Sequence, residues 1–382
     1  LKDKTSSVGF RSNVNYKDQV FSLPFELSFG SELLTENYKY SLFKNGYQSQ
    51  PGQGSIQGDE FSAINQNRNY SNYFLQMELW ISAKLHLETG VALNTTKYSL
   101  EDVFYTNSSG QKTPFTFGKV CSPRVGLSYK VSPVKNIFTS VSKGFSVPSV
   151  AETLTPEGRI NTDLKPEIGV NYELGFKGNW LRNKVYTEVT FYTTQINNLL
   201  VARRTANDQY VGINAGSSSH SGLEFLVNYA LLALPQLQIT PYFSGAVNAF
   251  KFKEFLDGDA DYSGNQLTGV PENQFNFGVD LNTKNGFTVN TSFRTMGAIP
   301  LNDSNTKYSE RYALLDIKTT YVFTILSVLK TELNAGINNA SNTKYAANIL
   351  PNAVGFGTAA PRYFYPGNPV NWYGGFSVTY FF

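Results

Sequence analysis

The chain has 382 residues, of which 16% are charged and 15% aromatic, and its 32 basic and 29 acidic residues leave a net charge of +3. A charged fraction this far below the ~25% usual in soluble domains argues against a cytoplasmic enzyme, and charge scattered without a basic stripe argues against a nucleic-acid partner. No apolar run approaches the ~18 residues that a membrane-spanning helix requires, and one cysteine with two distant histidines provides neither a disulfide framework nor a thiolate metal site.

In chain order the first signals are strands. The N-terminal Leu-Lys-Asp-Lys-Thr has no initiator Met and no signal-peptide layout, so it reads as a cut or a late start. Period-two alternation predicts strands near 5–17, 20–34, 68–83, 85–98, 121–132, 135–144, 169–181 and 184–197. It continues near 209–214 with 220–231, then 236–250, 272–283, 286–297, 310–323, 328–338 and 371–382. Val185, Thr187, Val189 and Phe191 share one face, for example, and Tyr186, Glu188, Thr190 and Tyr192 the other. Phe275, Phe277, Val279 and Leu281 likewise oppose Gln274, Asn276, Asp280 and Asn282, and Leu75, Met77 and Leu79 oppose Gln76 and Glu78.

The connections alternate. Tight turns are expected at Asp18-Gln19, Ala83-Lys84, Pro133 to Asn136, Leu181 to Asn183, Leu234 to Gln236 and Lys284-Asn285. Long polar loops are expected near 35–67, 99–120, 145–168, 198–219, 251–271, 298–309 and 339–370. A soluble sandwich alternates too, but short turns at one rim and long loops at the other are the signature of an antiparallel transmembrane β-barrel. If the long loops are extracellular, the first strand here descends from outside, and an odd number of strands must precede it in an even-stranded barrel. About fifteen strands here then point to a plugged barrel of about 22.

The ordered motifs carry a resemblance. Ser122-Pro123-Arg124-Val125-Gly126 leads a strand, and Gly144-Phe145-Ser146-Val147-Pro148 with Glu152 resembles a Gly-Phe-Arg-Pro-Pro segment, with Ser146-Val147 in place of Arg-Pro. Leu164-Lys165-Pro166-Glu167, Asn171-Tyr172-Glu173-Leu174-Gly175, Asn214-Ala215-Gly216 and Ser221-Gly222-Leu223-Glu224 follow. Then come Gly269-Val270-Pro271, Leu314-Leu315-Asp316, Gly336-Ile337-Asn338-Asn339 and Asn342-Thr343-Lys344-Tyr345, and the chain ends Tyr380-Phe381-Phe382. In this order they resemble TonB-dependent outer-membrane receptors. The resemblance implies that residues 1–382 are the C-terminal portion of a receptor barrel in the outer membrane of a Gram-negative bacterium, with the plug domain and first strands outside this sequence. It implies import of an iron complex (siderophore, ferric citrate or haem), energy from the TonB complex, and no cofactor. It also implies contact with lipid and lipopolysaccharide, and a terminal Phe382 that signals to the barrel assembly machinery. The alternatives are another cargo, cobalamin or a glycan, and a passive porin-like channel.

Tyr172 and Leu174 should face outward and Glu173 and Gly175 inward, and Tyr98, Tyr129, Trp180, Tyr229, Trp372 and Tyr380 suit interfacial girdles. His86 and His220 lack a nucleophile motif and read as rim or lumen histidines, so no catalytic residue is expected. Asp257, Asp259 and Asp261 alternate as in a calcium loop but lack the closing acid, so they read as an exposed acidic loop and no metal site. An anionic ferric complex suits Arg beside aromatics. Arg159, Arg203, Arg204, Tyr210, Arg362, Tyr363 and Tyr365 fit that description in the long loops, where ordinary loop contacts or lipopolysaccharide binding would fit as well.

Overall fold

In the computed structural model the described residues are 2–46, 56–103, 113–153, 161, 163–204, 210–214, 216–355 and 360–381. They are antiparallel strand almost throughout. In order the strands are β1 (Lys2–Val20), β2 (Leu23–Asn45), β3 (Gln57–Trp80), β4 (Leu85–Asp102), β5 (Thr113–Thr116), β6 (Val120–Ser132), β7 (Lys135–Ser146), β8 (Glu167–Trp180), β9 (Val185–Asn197), β10 (Leu200–Arg204) and β11 (Tyr210–Asn214). They continue as β12 (Gly216–Tyr229), β13 (Leu232–Ala233), β14 (Leu237–Asp257), β15 (Ala260–Asp261), β16 (Asn273–Thr283), β17 (Phe287–Met296), β18 (Tyr312–Ile325), β19 (Leu329–Asn338), β20 (Ala346–Ile349), β21 (Phe364–Pro366) and β22 (Asn371–Tyr380). A four-residue helix, α1 (Val150–Thr153), lies between β7 and β8. Fifteen of the strands have ten or more residues, which is the number expected from alternation.

The chain forms two compact units. The first is Leu1–Leu127 with Ser140–Asn171 and Ile196–Gly216, and the second is Ser128–Thr139 with Tyr172–Gln195 and Ser217–Phe382.

In the first unit β1, β2, β3 and β4 form a continuous antiparallel ladder, with Arg11 opposite Glu32 and Gly30 opposite Phe74. β2 and β3 have 23 and 24 residues. The ~9–11 residues needed to cross a bilayer are less than half of that length. The expected loop at 35–67 is therefore corrected: most of it is the far halves of β2 and β3. The turn expected at Asp18-Gln19 lies instead at Phe21-Ser22, which closes the Val20–Leu23 pair with φ of 50° and 64°. Positive φ at both central residues matches the twist of the flanking strands, although a bulky residue pays about 1–2 kcal/mol for it.

In the second unit β8 neighbours β9, β9 pairs with β12, and β12 with β14. β14, β16, β17, β18, β19 and β22 then pair in sequence. The register explains the alternation. One face carries the row Phe243, Phe277, Phe293, Leu315 and the row Val279, Thr291, Ile317, Ile337, Trp372. On strands paired on both sides, Phe277 is 43% exposed, Phe293 41% and Ile337 41%, in keeping with an apolar face that meets lipid rather than a protein core. The other face carries Asp280, Asn290 and Lys318 in one row and Asn276 beside Arg294 in another. There Asn290 Nδ2 donates to Asp280 Oδ1 at 2.6 Å, Ser292 Oγ to Asn276 Oδ1 at 2.8 Å, and Arg294 Nη2 to Asp316 Oδ2 at 3.1 Å. Polar side chains bonded along a sheet with an apolar reverse face suit a wet lumen. Tyr242 lies over Gly278 directly across the ladder, where a Cβ would meet the ring at 2.3 Å.

Candidate functional site: two anchored loop edges

The long-loop edge of the first unit is built on the β10–β11 hairpin. Leu200 pairs with Asn214, Arg203 with Val211, and Arg204 stands directly opposite Tyr210. Its base is fixed by the motif residues. Asn214 Oδ1 accepts from the Lys165 amide at 2.8 Å, and Asn214 Nδ2 donates to the carbonyls of Lys165 and Asn198 at 3.0 and 2.8 Å. Glu167 Oε1 accepts from the Leu200 amide at 2.7 Å, and Asn198 Nδ2 donates to the Pro166 carbonyl at 3.2 Å. The Leu-Lys-Pro-Glu and Asn-Ala-Gly motifs are thus two halves of one tie. Pro166 has no amide to offer a ladder, and side-chain amides take over where backbone pairing stops. Arg159 lies outside the described residues.

The segment after β7 covers Tyr98 on β4 within the same unit. Tyr98 Oη donates to the Pro148 carbonyl at 3.2 Å, and its ring meets Phe117 edge-on at 5.7 Å. Tyr98 is 5% exposed, so its expected place in an interfacial girdle is corrected: it faces inward under a loop. Tyr129, Trp180, Tyr229, Trp372 and Tyr380 are exposed, as a girdle requires. Between β1 and β2 Arg11 Nη2 pairs with Glu32 Oε1 at 2.6 Å, and on β3 Arg68 lies 5.8 Å from the Tyr70 ring centroid.

In the second unit three loops are knitted together. Asp303 is the knot: Thr268 Oγ1 donates to its Oδ1, Asn352 Nδ2 to its Oδ2 at 2.8 Å, and Asn265 Nδ2 to its carbonyl at 2.8 Å. Asn305 Oδ1 accepts from the Gln266 amide at 2.6 Å. Phe252, Phe255, Pro300 and Leu301 are buried beneath these bonds. Burial pushes the Asp303 carboxyl above its usual range, Asp257 adds to the rise, and the Thr268 and Asn352 bonds partly oppose it. Lys307 Nζ sits 5.3 Å from the Tyr363 ring centroid, Arg362 and Tyr365 are exposed, and Tyr365 pairs with Asn348 in the β20–β21 hairpin. Tyr365 thus stands in that hairpin with Arg362 and Tyr363 in the segment just before β21, and Arg203, Arg204 and Tyr210 stand in the β10–β11 hairpin. Phe382 lies outside the described residues.

Sequence reading missed the Asp303 knot. Its one signal was the run Asn302-Asp303-Ser304-Asn305-Thr306, dense in side chains that bond local backbone. Asn339 repeats the device, with φ of 49°, its Nδ2 donating to the Thr343 and Asn368 carbonyls at 2.9 and 3.1 Å.

His86 stands 3.4 Å from Glu78 and 5.0 Å from the Trp80 ring, and His220 lies flat on Phe250 with Ser218 Oγ 3.0 Å from its Nε2. Asp257 pairs with Ala260 in a short hairpin, and the Ser263 hydroxyl and amide hold the Asp261 carboxyl below its usual range. Among the described residues no three His, Cys, Asp or Glu gather as a metal site.

Comparison with known proteins agrees with this geometry. The family described as TonB dependent receptor-like, beta-barrel, matches residues 2–340. The ferric-pyoverdine 358 receptor of Pseudomonas putida is 22% identical over 203 residues, 48% of this chain and 23% of that protein. The ferric citrate transporter FecA, unliganded, superposes with a TM-score of 0.79 at 16% identity, over 99% of this chain and 55% of that one. The ferric-catecholate import receptor Fiu of E. coli K12 gives 0.72 at 16%, with the same coverage. The chain thus spans about half the length of these solved receptors. It belongs to the TonB-dependent receptor β-barrel family, a family of outer-membrane barrels.

Proposed function

We propose that the protein imports an iron complex across the outer membrane with energy delivered by the TonB complex. On this reading residues 1–382 are the C-terminal portion of the barrel, and a plug domain and the first strands lie outside this sequence. Phe382 then serves as the signal to the barrel assembly machinery. The observation that carries the proposal is the β10–β11 hairpin of the first unit, which places Arg204 opposite Tyr210 on a base tied by Asn214 and Glu167. Guanidinium forks match the planar oxygen donors of an anionic ferric complex, and tyrosine supplies flat area for its organic body. The relatives named above, receptors for ferric pyoverdine, ferric citrate and ferric catecholates, support the cargo class. Binding outside is followed by transmission to the plug, and the lumen described here supplies a hydrated wall rather than reaction chemistry.

Equilibrium binding of ferric citrate and ferric hydroxamate and catecholate siderophores to the intact protein tests this. One anionic ferric complex should bind, and Arg203→Glu with Arg204→Glu should weaken it about tenfold or more, the scale of a lost charge-assisted hydrogen bond. Failure of every ferric complex to bind would contradict the proposal, and unchanged affinity in the variant would remove the β10–β11 hairpin from the site.

A further inference from the structure

The short-turn edge of the second unit carries charge and apolar surface that the transport reading leaves unused. Its turns lie side by side. The Asn179 amide donates to the Val134 carbonyl at 2.9 Å, Ala230 to Lys184 at 2.7 Å, Lys284 to Gln236 at 3.0 Å and Val322 to Gly286 at 2.9 Å. No Asp or Glu stands in 129–138, 177–187, 227–240, 281–289 or 322–331, whereas Arg182, Lys184, Lys284 and Lys330 are all exposed there. The opposite edge is the reverse: segment 250–272 sets Glu254, Asp257, Asp259, Asp261 and Glu272 against Lys251 and Lys253. A nearly balanced total charge conceals this segregation.

The turn tips are apolar. Leu181 and Leu326 adopt left-handed backbone, φ 50° and 52°, and are 69% and 83% exposed. Asn or Gly would occupy such a position without strain. Leu231 and Leu234 are exposed in the neighbouring turn, and in the first unit Phe21, at φ 50°, is 95% exposed. Four strained or exposed leucines flanked by cations describe a partner with an apolar layer directly beneath an anionic one. A soluble acidic segment would match the cations and leave the leucines in water. Anionic phospholipid matches both. Strand length sets the height: β16, β17 and β19 have 11, 10 and 10 residues, just enough to cross the hydrocarbon, so their turns end in the headgroup layer. Trp180 adds an interfacial ring, with Lys135 Nζ 3.6 Å from its centroid and its Nε1 donating to Thr187 Oγ1 at 2.8 Å.

We propose that this edge is a seat for anionic phospholipid headgroups of the leaflet that it meets, with the cations on phosphate and the leucine tips at the acyl boundary. The inference depends on the barrel crossing a membrane and is independent of the cargo. The test uses the intact protein in phosphatidylcholine vesicles, with spin-labelled phosphatidylglycerol and phosphatidylcholine compared by electron paramagnetic resonance. The labelled phosphatidylglycerol should be held about fivefold in preference, less so in high salt. The preference should vanish in the variant Arg182→Gln, Lys184→Gln, Lys284→Gln, Lys330→Gln. Equal retention of the two lipids, or a preference undiminished in the quadruple variant, would overturn the proposal. A second variant, Leu181→Asn with Leu326→Asn, should unfold at lower temperature in these vesicles even though asparagine relieves the backbone strain. A higher unfolding temperature would mark the tips as water-facing and overturn their part in the seat.

Discussion

Asp303 shows how a single carboxylate couples three loops. Its carboxyl is raised by burial, so the folded loops bind its proton more tightly than the unfolded chain does. Its contribution is therefore complete below the ordinary carboxylate value of about 4, and is lost as pH rises through the raised value. Amides of 302–307 should exchange faster, after correction for intrinsic rates, at neutral pH than in mild acid. Asp303→Asn should remove that pH dependence. Asp303→Ala, which leaves Thr268 and Asn352 without an acceptor, should cost about 1–3 kcal/mol of local opening energy. Protection that increases with pH would contradict this. The residue scale is also where sequence reading was weakest. Asn214 and Asn339 were visible as motif letters, but their work, bonding to Lys165 and Asn198 or to Thr343 and Asn368, depends on chain segments that sequence does not place side by side. Tyr98 looked like a girdle residue because nothing in its neighbours announced that Pro148 would cover it.

At the scale of strands the alternation was legible wherever a strand crosses the bilayer, because lipid on one face and water on the other write period two into the residues. Hence β16, β17 and β19 end within a residue or so of their expected bounds. The far halves of β2 and β3 escaped notice for the same reason. The run Thr35, Glu36 and Asn37 is polar on both faces and breaks the pattern, although Tyr38, Tyr40 and Leu42 take it up again and the ladder continues to Asn45. The two faces also predict opposite sensitivities. Leu333, midway along β19 and facing outward, should cost about 2–4 kcal/mol on replacement by Arg. Arg294→Ala should cost no more than about 1 kcal/mol, because its pair with Asp316 stands in the wet lumen. Urea unfolding of the protein in vesicles measures both, and equal losses would contradict the assignment of faces.

For the whole molecule, fold and family were readable from ordered motifs, whereas the ligand was not. Arginine and tyrosine in long loops suit anions and flat surfaces in general, and residue type alone does not specify one cargo. Energised import of an iron complex is tested most directly by uptake of radiolabelled iron into cells that lack their own receptors and express the intact protein. One ferric complex should accumulate in cells with a working TonB system and not in cells without it. Accumulation that persists without TonB, or uptake of no ferric complex at all, would contradict the account.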